Sequence, residues 1–118
     1  MRIGELARRT AVSPRALRYY EEHGLLRPGR DENGYRSYAE PDVRTVRNIQ
    51  RLLADGLVMK EIQRFGDCLT TGDVAAEPAC AEALATYRRR RDAIAERIDD
   101  LRDQHRRLSD AIADLGGR

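Results

Sequence analysis

The sequence predicts a mainly α-helical chain: a winged helix-turn-helix head with a small β-hairpin wing, followed by a long C-terminal coiled-coil helix. Three observations support this fold class. Two short amphipathic segments are joined by four residues, and a turn dipeptide precedes strand-forming tyrosines. The last third of the chain repeats its apolar residues about every 3.5 positions.

Capping signals delimit the two helices of the predicted helix-turn-helix. The first helix runs from about Ile3 to Arg9, and four residues connect it to the second. Ser13 followed by Pro14 is a strong helix start, because the hydroxyl caps free amides and proline suits the first helical position. The second helix is expected to end near His23, since Gly24 can adopt the left-handed C-cap conformation.

A hairpin and two further helices complete the predicted head. Asn33-Gly34 is the preferred type I′ turn dipeptide, and Tyr35 and Tyr38 favour strands. A third helix is expected from Pro41 to about Asp55, and a fourth from about Met59 to Phe65. The apolar side chains of the third helix that we expect to face inward are Val43, Val46, Ile49, Leu52 and Leu53.

The C-terminal segment is predicted to form a dimerisation helix over residues 78–118, after a head over residues 1–66 and a hinge over residues 67–77. Its seam positions alternate spacings of three and four residues, which is the pattern of a coiled coil. One such helix cannot bury its stripe alone and the head is too small to cover it, so the simplest partner is a second copy. Polar Arg91 and His105 occupy two seam positions. The apolar seam residues are Leu84, Tyr87, Ile94, Ile98, Leu101, Leu108, Ile112 and Leu115.

Composition and motifs exclude several classes of function. Residues 1–65 carry 13 basic and 9 acidic side chains, and this net charge of +4 favours a polyanion as partner. No apolar run approaches the ~18 residues of a membrane span and no signal-peptide stretch opens the sequence, so we expect a cytoplasmic protein with no membrane partner. No catalytic motif is present and the two histidines sit in separate modules, so we expect neither an enzyme nor a cofactor, and we assign no metal ligands.

The segment ALRYYEEHGLLRPGRDENGYRSYAEPDV resembles the N-terminal domain of the MerR family of bacterial transcription regulators. The matching pieces are IGELARRTAVSPRALRYYEEHGLL, the wing segment ENGYRSY, and the third-helix start Pro41-Asp42-Val43. The resemblance covers residues 1–65 closely and residues 78–115 by architecture.

The resemblance implies a transcription regulator, typically an activator, that forms a homodimer through an antiparallel coiled coil. Such a dimer binds a pseudo-palindromic promoter element and distorts it, so that it acts on the RNA polymerase holoenzyme through the DNA. The alternative is an architectural or partner-binding protein that uses the head on DNA and the coiled coil for heterodimerisation.

Helical geometry predicts which side of the second helix faces nucleic acid. Leu17 and Tyr20, three residues apart, are expected to face the first helix. The residues on the opposite face are Arg15, Arg18, Tyr19 and Glu22. Arginine can fork onto guanine or grip a phosphate, and a tyrosine hydroxyl usually binds phosphate. The alternative is that Arg18 and Glu22 only pair on a solvated surface.

The wing and the fourth helix supply the other candidates. Arg36 and Tyr38 share one face of the hairpin, and the resemblance implies that they clamp the DNA backbone. Tyr38 could instead be a core aromatic under the wing, and Lys60 is either a phosphate contact or an isolated exposed lysine. The candidate DNA-binding residues are therefore Arg15, Arg18, Tyr19, Tyr20, Arg36, Tyr38 and Lys60.

The chain has two cysteines, Cys68 and Cys80, which are too few for a disulfide scaffold. Three roles stay open for them: packing at the hinge, a redox switch through a disulfide, and contact with a thiophilic metal or an electrophile. In metal sensors of the family a cysteine near the start of the dimer helix binds the metal, and Cys80 matches that position.

Overall fold

The computed structural model describes residues 1–70 and 81–117. Its elements, in chain order, are α1 (Ile3–Thr10), α2 (Pro14–Glu22), β1 (Gly29–Arg30), β2 (Arg36–Ser37), α3 (Glu40–Ala54), α4 (Met59–Gln63), a 3₁₀ helix (Gly66–Thr70) and α5 (Ala81–Gly116). The predicted fold class, mainly α-helical with one small hairpin and a long C-terminal helix, is confirmed. None of the helices in the two described ranges has the length and apolar character that a membrane crossing needs.

The helix-turn-helix forms where the capping signals predict it. The Ser13 hydroxyl accepts a hydrogen bond from the Ala16 amide at 3.1 Å, which satisfies a free donor at the start of α2. Gly24 follows the end of α2 with φ +73°, a conformation that a side chain would strain. Leu6 of α1 and Leu17 of α2 are both fully buried, so the two helices meet through their apolar faces.

In the description of the structure, the head denotes residues 1–70, whereas the predicted head comprises residues 1–66. The core of the head lies between α1, α2, α3 and the segment after α3. Its buried apolar residues include Leu6, Leu17, Leu26, Val43, Val46, Ile49, Leu52, Leu57, Ile62, Phe65 and Leu69. Leu53 is the exception to the predicted inward face of α3, because it is 37% exposed. Its neighbour Leu52 takes the inward position, and one residue further along a helix points about 100° away.

The wing is an antiparallel pair in which Gly29 lies opposite Ser37 and Arg30 opposite Arg36. The predicted type I′ turn at Asn33-Gly34 is wrong, since that turn needs positive φ at both residues and only Gly34 has it. The Asp31 carboxylate accepts hydrogen bonds from the amides of Asn33 and Tyr35, at 2.9 and 3.0 Å. This side chain therefore shapes a longer loop between the strands.

The residues after α4 continue as a 3₁₀ helix that is anchored to α3. Asn48, which is buried, donates from its side-chain amide to the carbonyl oxygen of Leu69 at 2.7 Å. Residues 66–70 are thus held against α3; the first is the last residue of the predicted head, and the other four fall in the predicted hinge. Residues 71–80 lie outside the described part of the chain, and the division into head, hinge and helix stays a prediction.

The chain divides into two compact units, Met1–Leu84 and Ala85–Arg118. Helix α5 has 36 residues and is therefore roughly 54 Å long at 1.5 Å per residue. Its apolar seam is open to solvent: Ile94, Ile98 and Leu101 are 47%, 43% and 47% exposed, and Leu108, Ile112 and Leu115 more so. Tyr87 is half-buried.

Candidate nucleic-acid interface

Helix α2 has one buried and one exposed face, as its spacing predicts. Leu17 and Tyr20 lie in the core, with Tyr20 only 6% exposed, and burial raises the pKa of the Tyr20 phenol. Arg15, Arg18 and Tyr19 are exposed on the other side. The structure therefore corrects one candidate: Tyr20 packs against the helices of the head and does not belong to the exposed face.

Tyr19 and His23 pair at the end of α2. Their ring centroids lie 4.2 Å apart, and the His23 Nδ1 atom is 2.9 Å from the carbonyl oxygen of Tyr19. When Nδ1 carries a proton it donates to that oxygen, which also accepts the backbone amide of His23 at 3.2 Å. The pair keeps the Tyr19 ring on the exposed face of α2, where its hydroxyl can meet an external group.

A cleft of about 240 Å³ lies between α2 and the wing. Its lining residues are Arg2, Ile3, Arg18, Arg30, Gly34, Tyr35 and Arg36. Four of them are arginines from four different segments, and none is acidic. Guanidinium groups gathered in this way suit a phosphate or another anion, because they present several charged donors to one small volume. Arg18 and Arg36 were predicted site residues, and the cleft brings them together.

Arg2 and Arg30 are cleft residues that the sequence reasoning missed. The Arg2 guanidinium stacks 4.6 Å from the centre of the Tyr35 ring and lies 3.4 Å from an Asp31 carboxylate oxygen. Arg2 reaches the wing because the start of the chain pairs with the end of β2: the Tyr38 amide donates to the Met1 carbonyl oxygen at 2.8 Å. The opening MRIG of the sequence contains no pattern that would indicate this pairing.

Glu21 joins α2 to the wing. The Tyr38 hydroxyl donates to Oε1 of the Glu21 carboxylate, and Nε of Arg36 lies 3.3 Å from Oε2. The Glu21 side chain is only 12% exposed. Glu21 was absent from the sequence candidates, although its spacing of four residues from Leu17 places it beside the buried face of α2, whereas Glu22 lies on the exposed face.

Tyr38 is a core residue, which corrects the prediction that it shares with Arg36 a face of the hairpin that clamps the DNA backbone. It is 2% exposed, and burial together with the hydrogen bond to Glu21 raises the pKa of its phenol far above the usual range. The alternative of a core aromatic under the wing is right, because the Tyr38 side chain is buried and its hydroxyl binds Glu21. Arg36, two residues earlier, remains half-exposed at the cleft.

Lys60 and Cys68 are not among the residues that line the cleft. Lys60 is exposed on the short helix α4. Cys68 lies in the 3₁₀ helix and is disulfide-bonded. Cys80 lies outside the described residues, so the roles proposed for the two cysteines stay predictions.

A second group of arginines lines a groove of about 500 Å³ on α1 and α3, formed by Arg9, Glu40, Val43, Arg44, Arg47, Asn48 and Arg51. This groove contains the Glu40 carboxylate, which accepts hydrogen bonds from both terminal guanidinium nitrogens of Arg9, one of them at 2.7 Å. Arg44 donates to the Thr70 carbonyl oxygen at 3.0 Å. The lining of this groove therefore includes an acidic side chain, whereas the carboxylates that pair with Arg2 and Arg36 lie outside the lining of the cleft beside α2.

The head is that of the winged helix-turn-helix regulators, with a helix-turn-helix, a hairpin wing and a row of arginines between them. The chain belongs to the MerR HTH family of regulatory proteins, whose family model matches residues 1–66.

Similar proteins extend this result along the chain. The regulator HmrR of Rhizobium leguminosarum bv. viciae is 42% identical over 65 residues, which are 55% of this chain and 50% of that protein. The chain thus spans about half the length of the first curated relatives it matches. The crystal structure of PbrR691 from Ralstonia metallidurans CH34 in complex with lead(II) is 29% identical with a TM-score of 0.76, covering 93% of this chain and 83% of that one. The structure of HiNmlR, a MerR family regulator lacking the sensor domain and bound to promoter DNA, is 26% identical with a TM-score of 0.60, covering 88% and 76%.

Proposed function

We propose that this protein is a homodimeric transcription regulator that binds a pseudo-palindromic promoter element and distorts it. The observation that carries the proposal is the cleft between α2 and the wing, where four arginines gather beside the exposed face of α2. The similar structure of HiNmlR, solved on promoter DNA, supports the same role for this head.

The two sides of the candidate interface suit two parts of a duplex. Arg15 and Arg18 on the exposed face of α2 can enter the major groove, where a guanidinium recognises guanine O6 and N7. Arg2, Arg30 and Arg36 in the cleft suit the phosphates next to that groove, and such contacts set the orientation of the protein on the duplex. Base reading and backbone binding are thereby assigned to different side chains.

The exposed seam of α5 supports dimerisation with a second copy. If Leu84 lies opposite the partner's Leu115 in an antiparallel pair, Ile98 lies opposite the partner's Leu101, and every seam position from 84 to 115 has a counterpart. Seven of the apolar seam residues are large and well exposed in the single chain, so pairing would remove a continuous apolar stripe from water.

The charged residues of α5 favour the antiparallel direction. In a parallel pair, Arg91 would face the partner's Arg91, and Arg97 would lie beside the partner's Arg102. In the antiparallel register, Arg91 faces the partner's Leu108 and Arg97 lies beside the partner's Gln104. The antiparallel pair therefore avoids both repulsions between arginines.

A rigid dimer of this kind would let the protein act on a promoter without catalysis. Two heads held at a set separation bind half-sites only if the DNA between them bends or untwists, and the energy of that deformation depends on sequence. The regulator then affects RNA polymerase holoenzyme through the shape of the promoter, in the cytoplasm, without itself being an enzyme.

The test is a nuclease footprint of the purified protein on DNA upstream of its own gene, at several salt concentrations. We expect one symmetric protected region with enhanced cleavage at its centre, and protection that weakens as salt rises. Scrambling one half of the protected sequence is the matched control and should remove protection from both halves. Uniform protection of any DNA, or protection only after adding another protein, would contradict the proposal and favour an architectural or heterodimerising protein.

A further inference from the structure

We propose that Glu21 is a positioning residue of the DNA-binding surface, whose carboxylate holds Arg36 and the wing in register with α2. This inference rests on the proposed function. It concerns a negatively charged side chain beside a surface that would face DNA. Charge alone predicts that removing the carboxylate charge strengthens DNA binding, whereas the geometry predicts that removing it weakens DNA binding.

Each oxygen of the Glu21 carboxylate has its own partner in the wing. Oε1 accepts the hydroxyl proton of Tyr38, and Oε2 lies 3.3 Å from Nε of Arg36. The carboxylate is largely removed from water, with 12% of the side chain exposed, so these two partners compensate most of its lost hydration. Such a group resists displacement, since moving either partner leaves a charge poorly solvated.

The position of Glu21 couples the two sides of the cleft. It lies three residues after Arg18 on α2, so its backbone moves with the helix that carries Arg18. Its partner Arg36 lines the cleft together with Arg18. Arg36 remains 48% exposed, which leaves its terminal nitrogens available to an external phosphate while Nε faces Glu21.

Tyr38 is itself held in place by its buried ring and its backbone hydrogen bonds. Its ring is buried, and its backbone amide and carbonyl both bind Met1, with the terminal amine donating to the Tyr38 carbonyl oxygen at 2.6 Å. The hydrogen bond from the Tyr38 hydroxyl therefore places the Glu21 carboxylate against the core end of the wing, and the ion pair then sets the direction of Arg36.

The direction in which one substitution changes the DNA affinity separates a positioning role from a simple charge effect. Glu21→Gln raises the net charge of the head by one, and if Glu21 were only a nearby negative charge, the variant would bind DNA more tightly. If Glu21 positions Arg36, the same variant binds more weakly. Glu22→Gln is the matched control, because it makes the same change at the next residue, which is exposed.

The experiment measures binding of the full chain to a duplex carrying the footprinted sequence, by fluorescence anisotropy at several salt concentrations. We expect Glu21→Gln to weaken binding on the order of tenfold, the size expected for coupled residues in one hydrogen-bonded network, and Glu22→Gln to bind as well as the wild type or better. Affinity of Glu21→Gln equal to or above that of the wild type would overturn the inference.

Two further readouts separate positioning from general loss of structure. If Glu21 acts through Arg36, Glu21→Gln adds little to the loss caused by Arg36→Ala, and each variant lowers the salt slope by about one. Independent losses that add, with the salt slope unchanged, would overturn the inference. Should Glu21→Gln fail to fold by circular dichroism, Glu21→Asp keeps the charge but shortens its reach; weaker binding then supports positioning, and wild-type binding overturns it.

The inference and the proposed function fail in different ways. If the wild-type protein protects no specific sequence, both the proposed function and the role of Glu21 are rejected. A wild-type protein that protects a palindrome, together with a Glu21→Gln variant that binds it undiminished, removes only the role of Glu21.

Discussion

Asn48 of α3 and Leu69 of the 3₁₀ helix are joined by a buried hydrogen bond, in which the side-chain amide donates to the main-chain carbonyl at 2.7 Å. Both residues are almost fully buried, with exposures of 5% and 2%. The bond therefore ties the segment that precedes residues 71–80 to the core of the head, and the Leu69 side chain packs there with it.

Replacing Asn48 with Ala should destabilise the head. The change leaves the Leu69 carbonyl buried without this donor, which costs about 1–3 kcal/mol of the free energy of unfolding. Urea unfolding followed by circular dichroism measures the effect. Gln50→Ala, on the same helix but at a half-buried position, is the control and should cost less. Equal stability of the Asn48 variant and the wild type would show that the bond contributes nothing.

Replacing Arg18 with Ala should weaken binding to the footprinted duplex by about 1–3 kcal/mol and relax the preference for one base in each half-site, if this side chain reads a base edge. Affinities for the duplex and for single-base variants of it measure both effects. Arg107→Ala removes the same charge from an exposed position of α5 and should leave the base preference intact. If Arg18→Ala binds the duplex with unchanged affinity, the face of α2 that carries Arg18 is not the face that binds DNA.

Replacing Ile94 and Ile98 with Asp should produce monomers that no longer protect DNA. Both positions belong to the open apolar seam of α5, where a paired helix would bury the new charges without partners. Sedimentation velocity measures the oligomeric state. The matched control is Ala93→Asp with Ala113→Asp, which adds the same charge at exposed positions off the seam. A seam variant that remains dimeric would rule out the coiled-coil interface.

The Tyr38 phenol should make the head sensitive to alkali. Its pKa in the folded protein is raised above its ordinary value of 10.0, by burial first and then by Glu21. Its stabilising contribution is therefore fully present below pH ~10 and is lost as the pH rises further, because the unfolded chain ionises first. Tyr38→Phe should be less stable than the wild type at neutral pH but lose less stability above pH ~10. The urea unfolding midpoints of the two proteins, measured from neutral pH to about one unit above the ordinary tyrosine pKa, test both expectations. If the midpoints of the two proteins fall in parallel as the pH rises, this assignment is contradicted.

The sequence by itself determined the helices and their buried faces. The hydroxyl of Ser13, the glycine at position 24 and the spacing of Leu17 and Tyr20 are local signals, and each acts over a few residues of one helix. The seam of α5 is equally local, because a repeat of 3.5 residues defines one stripe on any helix that forms. The predicted boundaries of α1 to α4 are accordingly correct to within two residues.

Only the tertiary structure decided which side chains surround the cleft and what holds them there. Arg2 enters it through pairing between Met1 and Tyr38, which are 37 residues apart, and Glu21 meets the Tyr38 hydroxyl across 17 residues. These contacts depend on how the wing docks against α2, and no periodicity within one element encodes that docking. For the same physical reason, Tyr38 could be placed next to the wing from the sequence, whereas its burial, and with it the role of Glu21, emerged only when the wing and the helix were packed together.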